Sequence, residues 1–203
     1  MIMGVNLYTE TTDEELLESL KRGDEEAFAE LMRRYKRRVF GTAYRYLGNY
    51  EDAADVAQEV FVKVYRHIGS FTAKAKLSTW IYRIVVNTSV NKLRSRKRRG
   101  EEMAESLEKL KEEGAAIPVA ANVNPGPTPL DSLERKELEG LLQAKLDALP
   151  EQYRLVFILR EFRQFSYEEI AEMMDVPLGT VKSRLNKARR RLRDMLAPYL
   201  VPA

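Results

Sequence analysis

Residues 166–193 read Ser-Tyr-Glu-Glu-Ile-Ala-Glu-Met-Met-Asp-Val-Pro-Leu-Gly-Thr-Val-Lys-Ser-Arg-Leu-Asn-Lys-Ala-Arg-Arg-Arg-Leu-Arg. Ser166 with Glu169 forms a capping box, the reciprocal pairing that starts a helix. Ile170, Ala171 and Met174 then fall on its inner side. Asp175-Val-Pro-Leu-Gly179 is a tight turn. A longer helix follows, with Val181, Leu185, Ala188, Leu192 and Leu196 at helical spacing along one face. A short helix, a tight turn and a longer helix with a basic outer face describe a helix-turn-helix, whose second helix enters the major groove of DNA. A plain helical hairpin with a charged face is the alternative; the small-residue turn and the charge together favour the DNA reader.

On that second helix Lys182, Ser183, Asn186, Lys187 and Arg190 fan across the face opposite the apolar stripe. Asn reads adenine edges and Lys reads guanine edges, each good pair contributing about 1–3 kcal/mol of discrimination. Arg184, Arg189, Arg191 and Arg193 are placed for phosphates, which fix position without reading sequence.

The same helical grammar extends toward the N-terminus. Thr12-Asp-Glu-Glu15 is another capping box, opening a helix with Leu16, Leu17 and Leu20 on one side. Gly23 ends it and Asp24 caps a second helix carrying Phe28, Leu31, Met32, Tyr35, Val39, Ala43 and Leu47 at three-to-four-residue spacing. Gly48-Asn49 punctuates, and a third helix spans about 50–68. After a loop, a fourth runs from about Ser78 into a basic block at 94–99. Residues 124–129, Asn-Pro-Gly-Pro-Thr-Pro, cannot continue a helix. The fold class is therefore all-α: a helical module over 10–98, a flexible linker over 99–130, and a second helical module over 131–197.

A net charge of +3 conceals an uneven distribution. Residues 94–100 hold five basic and no acidic groups, and 182–203 hold seven basic against one acidic. Acidic residues outnumber basic ones across the chain between them. Two basic blocks, each ending a patterned helix, point to a polyanion. The absence of cysteine excludes disulfides, thiolate metal sites and thiol nucleophiles, and a single histidine, His67, leaves little room for a histidine-based metal site or catalytic triad. The expectations are a non-enzymatic protein without cofactor or metal. The amino-terminal residues show no signal-peptide pattern and no apolar run is long enough to span a bilayer, so a cytoplasmic protein without membrane insertion is expected.

On the fourth helix Leu77, Ile81, Ile84 and Val85 cluster on one side, while Trp80, Arg83, Asn87, Asn91 and Arg94 cluster on the other. An aromatic among cations suits stacking on unpaired bases; Trp80 packed beneath the 70–76 loop is the other reading, and the two are compatible. On the third helix Asp52, Asp55 and Glu59, with Gln58, line one stripe. It reads as a divalent-metal cluster, a solvated acidic face, or a docking surface for a basic partner.

Asp55-Val-Ala-Gln-Glu-Val-Phe61 followed by Ser78-Thr-Trp-Ile-Tyr-Arg-Ile-Val-Val-Asn87 resembles conserved region two of bacterial sigma factors. Ser166-Tyr-Glu-Glu-Ile-Ala171 with Gly179-Thr-Val-Lys-Ser-Arg184 resembles region four. The pair, in this order and length, resembles the extracytoplasmic function group (group four) of the sigma-70 family, which lacks regions one and three. The resemblance implies a promoter-specificity subunit of RNA polymerase. Asp52, Asp55, Gln58 and Glu59 would dock on the β′ clamp helices, and the second module on the β flap. Phe71, Lys74, Lys76 and Asn87 would frame a pocket for a base flipped from the −10 element. Trp80, Arg83, Asn91 and Arg94 would hold that element as it melts. Lys182, Ser183, Arg184, Asn186, Lys187 and Arg190 would read the −35 element. An anti-sigma factor is a further implied partner. The competing readings are a helix-turn-helix regulator that is not a polymerase subunit, and a metal-dependent nucleic-acid enzyme built on Asp52, Asp55 and Glu59.

Overall fold

In the computed structural model, residues 11–72, 75–111 and 131–200 are described. Every element among them is helical. Four helices form the N-terminal module: α1 (Asp13–Lys21), α2 (Glu25–Leu47), α3 (Tyr50–His67) and α4 (Leu77–Lys111). The C-terminal module holds α5 (Asp131–Asp147), α6 (Glu151–Phe157), α7 (Tyr167–Met174) and α8 (Leu178–Leu200), with a π-helical turn over Ile158–Phe162.

Local chemistry sets the helix ends. At α1 the Glu15 amide donates to Thr12 Oγ1 at 3.3 Å while the Thr12 amide donates to the Glu15 carboxylate at 2.7 Å. Asp24 accepts from the Glu26 and Ala27 amides at the start of α2. Gly48 closes α2 with φ +68°, a left-handed conformation that glycine adopts at little cost. Asn49 then caps α3 through the Asp52 amide. The Ser166–Glu169 box forms as its spacing predicts, and Asp175 ends α7 in the left-handed region at φ +51°.

Apolar stripes set the packing. Leu16, Leu31, Val39, Val56, Val60 and Ile81 are wholly buried between α1, α2, α3 and α4. In α7, Met173 at 1% exposure takes the deep inward position, with the neighbouring Met174 only partly buried. Val181, Leu185, Ala188 and Leu192 of α8 are buried, as the stripe on that helix predicts.

Two features differ from the expectation of two modules on a tether. Helix α4 passes the basic block and continues to Lys111, because residues 101–111 are Glu, Met, Ala, Ser, Leu and Lys, without glycine or proline. The proline-bearing segment, 112–130, lies outside the described residues. Its nineteen residues at full extension, added to the helical stretch 100–111, reach at most about 80 Å, still more than the roughly 70 Å of two DNA turns. Second, the modules pack on each other, and one continuous core joins Tyr82 and Val86 of α4 to Leu155, Leu159 and Phe165 of the C-terminal module.

Candidate nucleic-acid interface and partner-docking surface

Helix α8 presents the fan that its sequence predicts. Lys182, Ser183, Asn186, Lys187 and Arg190 are all exposed, opposite the buried stripe. Ser183 Oγ donates back to the Thr180 carbonyl at 3.2 Å, a local bond that settles its rotamer. Arg184 departs from the group: it is half-buried and lines a cleft between the modules. Arg189 donates twice to the Glu161 carboxylate, at 3.0 and 2.7 Å, which raises its pKa and holds it on the module's flank.

On α4 the predicted polar face divides into two parts. Trp80 is half-buried with its ring 5.1 Å from that of Phe71, the packing that one of its two sequence readings expects. Phe71 itself is 6% exposed and belongs to the core, forming a wall of this corner. Lys76 and Arg83 are exposed, and Lys74 lies outside the described residues. Farther along, Asn87, Asn91 and Arg94 share one wall of a cleft of about 600 Å³. Its opposite wall comes from the C-terminal module: Glu151, Gln152, Leu155, Met174, Val176 and Arg184.

The acidic stripe of α3 is partly neutralised inside the molecule. Asp52 is paired with Lys92 at 3.3 Å and with Arg96 at 3.0 Å, and only 17% of its side chain is exposed. Lys92 also reaches Asp55 at 2.8 Å, and that bond holds the ammonium above its ordinary pKa. Asp52 thus braces α3 against α4. Asp55, Gln58 and Glu59 remain on the outer surface, with Glu59 paired to Lys63 one turn on. Among the described residues no group of three His, Asp or Glu side chains converges as a metal site.

Sequence reasoning missed a wide concavity. Between α2 and α3 an open groove of about 1150 Å³ is floored by Phe28, Met32, Phe40, Ala57 and Phe61 and edged by Tyr50, Val62 and Tyr65. Arg33, Lys36, Arg37 and Arg66 surround it, and Gln58 lies on its border. Tyr50 and Tyr65 are more than half exposed, unusual for large apolar side chains on a surface that touches nothing. The signal lay in the surplus of apolar residues on α2 and α3 beyond those that a single buried stripe needs.

Two arginines that tie the modules together were also missed, Arg154 buried and Arg163 half-buried. Arg154 of α6, 7% exposed, donates to the Tyr46 carbonyl of α2 at 2.7 Å, to the Asp147 carboxylate at 3.1 Å and to the Leu149 carbonyl at 3.1 Å. Burial lowers its pKa, with Asp147 opposing that shift; burial raises the pKa of Asp147 in turn and pushes Tyr46 up to about 12. Arg163 donates to Thr42 Oγ1 at 2.7 Å and to the Arg38 carbonyl at 2.9 Å, and burial likewise lowers its pKa. Gly41 leaves room for this guanidinium, since a Cβ there would stand 3.1 Å from Arg163 Nη2.

These elements define a two-module, all-helical protein with an exposed basic helix and an open apolar groove. Residues 31–99 match the model for sigma-70 region 2, and 139–192 match that for sigma-70 region 4. The RNA polymerase sigma-H factor of Pseudomonas aeruginosa is 36% identical over 197 residues, covering 96% of this chain and 98% of that protein. The extracytoplasmic function sigma factor SigW of Bacillus subtilis is 36% identical over 180 residues, covering 89% and 94%. Among solved structures, the sigma factor RpoE of Bartonella quintana, in complex with the anti-sigma factor NepR, superposes with a TM-score of 0.62 at 25% identity, covering 84% of this chain and 96% of that one. CnrH, in complex with the cytosolic domain of CnrY, shares the fold with a TM-score of 0.66 at 20% identity, covering 92% and 97%. The chain belongs to the sigma-70 family and is an RNA polymerase sigma factor of the extracytoplasmic function type. No helix among the described residues is long and apolar enough to cross a membrane.

Proposed function

We propose that this sigma factor divides promoter recognition between α8 and α4. The observation that carries the reading is the exposed fan on α8, where five polar or cationic side chains stand opposite a buried stripe on a helix entered by a tight turn. Lys182, Ser183, Asn186 and Lys187 read base edges of the −35 element, Ser183 as an acceptor, while Arg190 holds its phosphates. On α4, Asn87, Asn91 and Arg94 receive the −10 strand, with the part-exposed Trp80, backed by the buried Phe71, as the ring on which an extracted base stacks. Arg83 and Lys76 contribute charge. Unstacking a base costs a few kcal/mol and needs such a receiving surface. The chain holds no nucleotide-binding loop of the Gly-x-x-x-x-Gly-Lys type, so binding energy alone drives melting and the protein acts without catalysis of its own.

Asp55, Gln58 and Glu59, together with the apolar groove beside Gln58, form the docking surface for a polymerase helix. The solved RpoE of Bartonella quintana is in complex with an anti-sigma factor, and this chain would be restrained by such a partner in the cytoplasm. The test is run-off transcription with purified core polymerase across a promoter library. Promoter-specific transcripts are expected; strong duplex binding without core and no specific transcript would establish the independent-regulator reading instead. Asp55→Lys should weaken binding to core in a pull-down, and unchanged binding would remove Asp55 from the docking surface.

A further inference from the structure

We infer that the packed arrangement of the two modules is a self-closed state, in which Glu151 and Glu169 of the C-terminal module take the place of strand phosphates on the −10 face of α4. This rests on the −10 role assigned to that face.

Lys76 Nζ, at the start of the face, lies 3.1 Å from Glu169, whose carboxylate also lies 3.4 Å from Thr79 Oγ1. Lys97, at its far end, pairs with Glu151. Between these two pairs Asn87, Asn91 and Arg94 face the cleft wall that α6, α7 and α8 supply. The C-terminal module therefore offers two carboxylates to two of the cations that a nucleic-acid backbone needs, and lays protein along the path between them. A strand entering here must displace that wall, and Glu151 repels its phosphates.

The two ion pairs are mostly exposed and hold little by themselves. The attachment comes from groups behind them. Arg163 bonds Thr42 and Arg38, Arg154 bonds the Tyr46 carbonyl, and the Tyr82 and Phe165 rings meet edge to face at 4.8 Å. The α8 fan stays clear of the cleft in this arrangement, so closure narrows access to one reading face, whose Asn87, Asn91 and Arg94 keep exposed side chains within the cleft, and leaves the other open.

The test uses the full chain and a labelled single strand carrying the non-template −10 sequence of the strongest run-off promoter. Glu151→Gln removes one carboxylate without adding charge, and Arg163→Ala removes two of the hydrogen bonds that attach the module; neither residue is assigned a DNA contact. Fluorescence anisotropy should show Arg163→Ala binding the strand about tenfold more tightly than wild type, as expected when the competent fraction of a closed population rises, and Glu151→Gln, which removes only an exposed pair and a charge that repels phosphate, about two- to threefold more tightly. Because the chain has no cysteine, Lys97→Cys with Glu151→Cys can be joined by a short bis-maleimide. Joining should lower strand binding at least fivefold relative to the same protein unjoined, a comparison that does not depend on the folding of the opened variants. Unchanged affinity in both opened variants, with joined and unjoined protein equal, would overturn the inference while run-off transcription still upheld the −10 reading. Absence of promoter-specific transcripts from wild type would remove that reading and this inference together.

Discussion

Helices α4 and α8 are built alike and placed differently. Each buries one apolar stripe and turns cations and amides outward. On α8 the outward face meets solvent along its length. On α4 the corresponding face is walled by the other module from Asn87 to Arg94, and its aromatic corner is half-buried. Amphipathic patterning makes a face polar, but whether that face is open depends on what packs across from it. A polar face that meets solvent can take a ligand as it stands, whereas one beside a neighbouring module must share its space with that module.

The largest effect expected from testing this contrast concerns the core behind it. Leu159 is fully buried in the core common to both modules, so Leu159→Ala should destabilise by about 2–5 kcal/mol. Urea unfolding should show one shared transition lowered as a unit. Two transitions, with only the C-terminal one shifted, would mean that the modules are energetically separate and the contrast is one of position alone.

Next comes Arg154→Ala, which strips donors from the Tyr46, Asp147 and Leu149 carbonyls and leaves them facing a void. The expected loss is about 2–4 kcal/mol, toward the lower end because Asp147 keeps water access. Trp80 fluorescence followed through the unfolding transition reads it, since α4 should report the loss even though the change lies in α6. A smaller effect belongs to Asn186→Ala. It should cost about 1–3 kcal/mol at one −35 base pair in holoenzyme binding, while single-strand −10 binding stays unchanged. An equal loss on both elements would show that α8 contributes charge rather than sequence reading.

The smallest effect is acid sensitivity at Glu169. Burial raises its pKa, but the Ser166 amide, Lys76 and Thr79 outweigh burial and hold the group below the ordinary carboxylate value of 4.5. A depressed folded-state pKa stabilises above the unfolded value and is lost as pH falls through the folded one. The start of α7 and its contact with Lys76 should therefore weaken only below about pH 4.5 and stay constant above it. Glu169→Gln should remove that sensitivity in a thermal-melting series across pH; a transition centred near neutrality would point to another group.

Much of this fold was legible before any coordinates. Both capping boxes, the Asp24 cap and the Gly48 terminus are interactions within four residues, so the sequence carries both partners side by side. The α8 fan follows from one buried stripe and a 100° turn per residue. Harder to read was Asp52, whose position in an acidic stripe suggested a free surface; its partners Lys92 and Arg96 stand 40 and 44 residues away on another helix. Hardest were Arg154 and Arg163, ordinary surface arginines by type, which bond to backbone carbonyls of α2 more than a hundred residues distant. A carbonyl acceptor has no signature in the side-chain alphabet, so nothing in the sequence marked these two as attachments between modules.

The sequence by itself determined the helices, their caps, the helix-turn-helix and the polarity of each face, because those depend on spacing and on neighbours within a turn or two. Tertiary structure alone decided which polar faces are open, which carboxylates are already paired and where the apolar surplus of α2 and α3 becomes a groove. Those outcomes require two distant segments to meet, and the free energy of their meeting comes from shape and buried hydrogen bonds that no single stretch of chain contains.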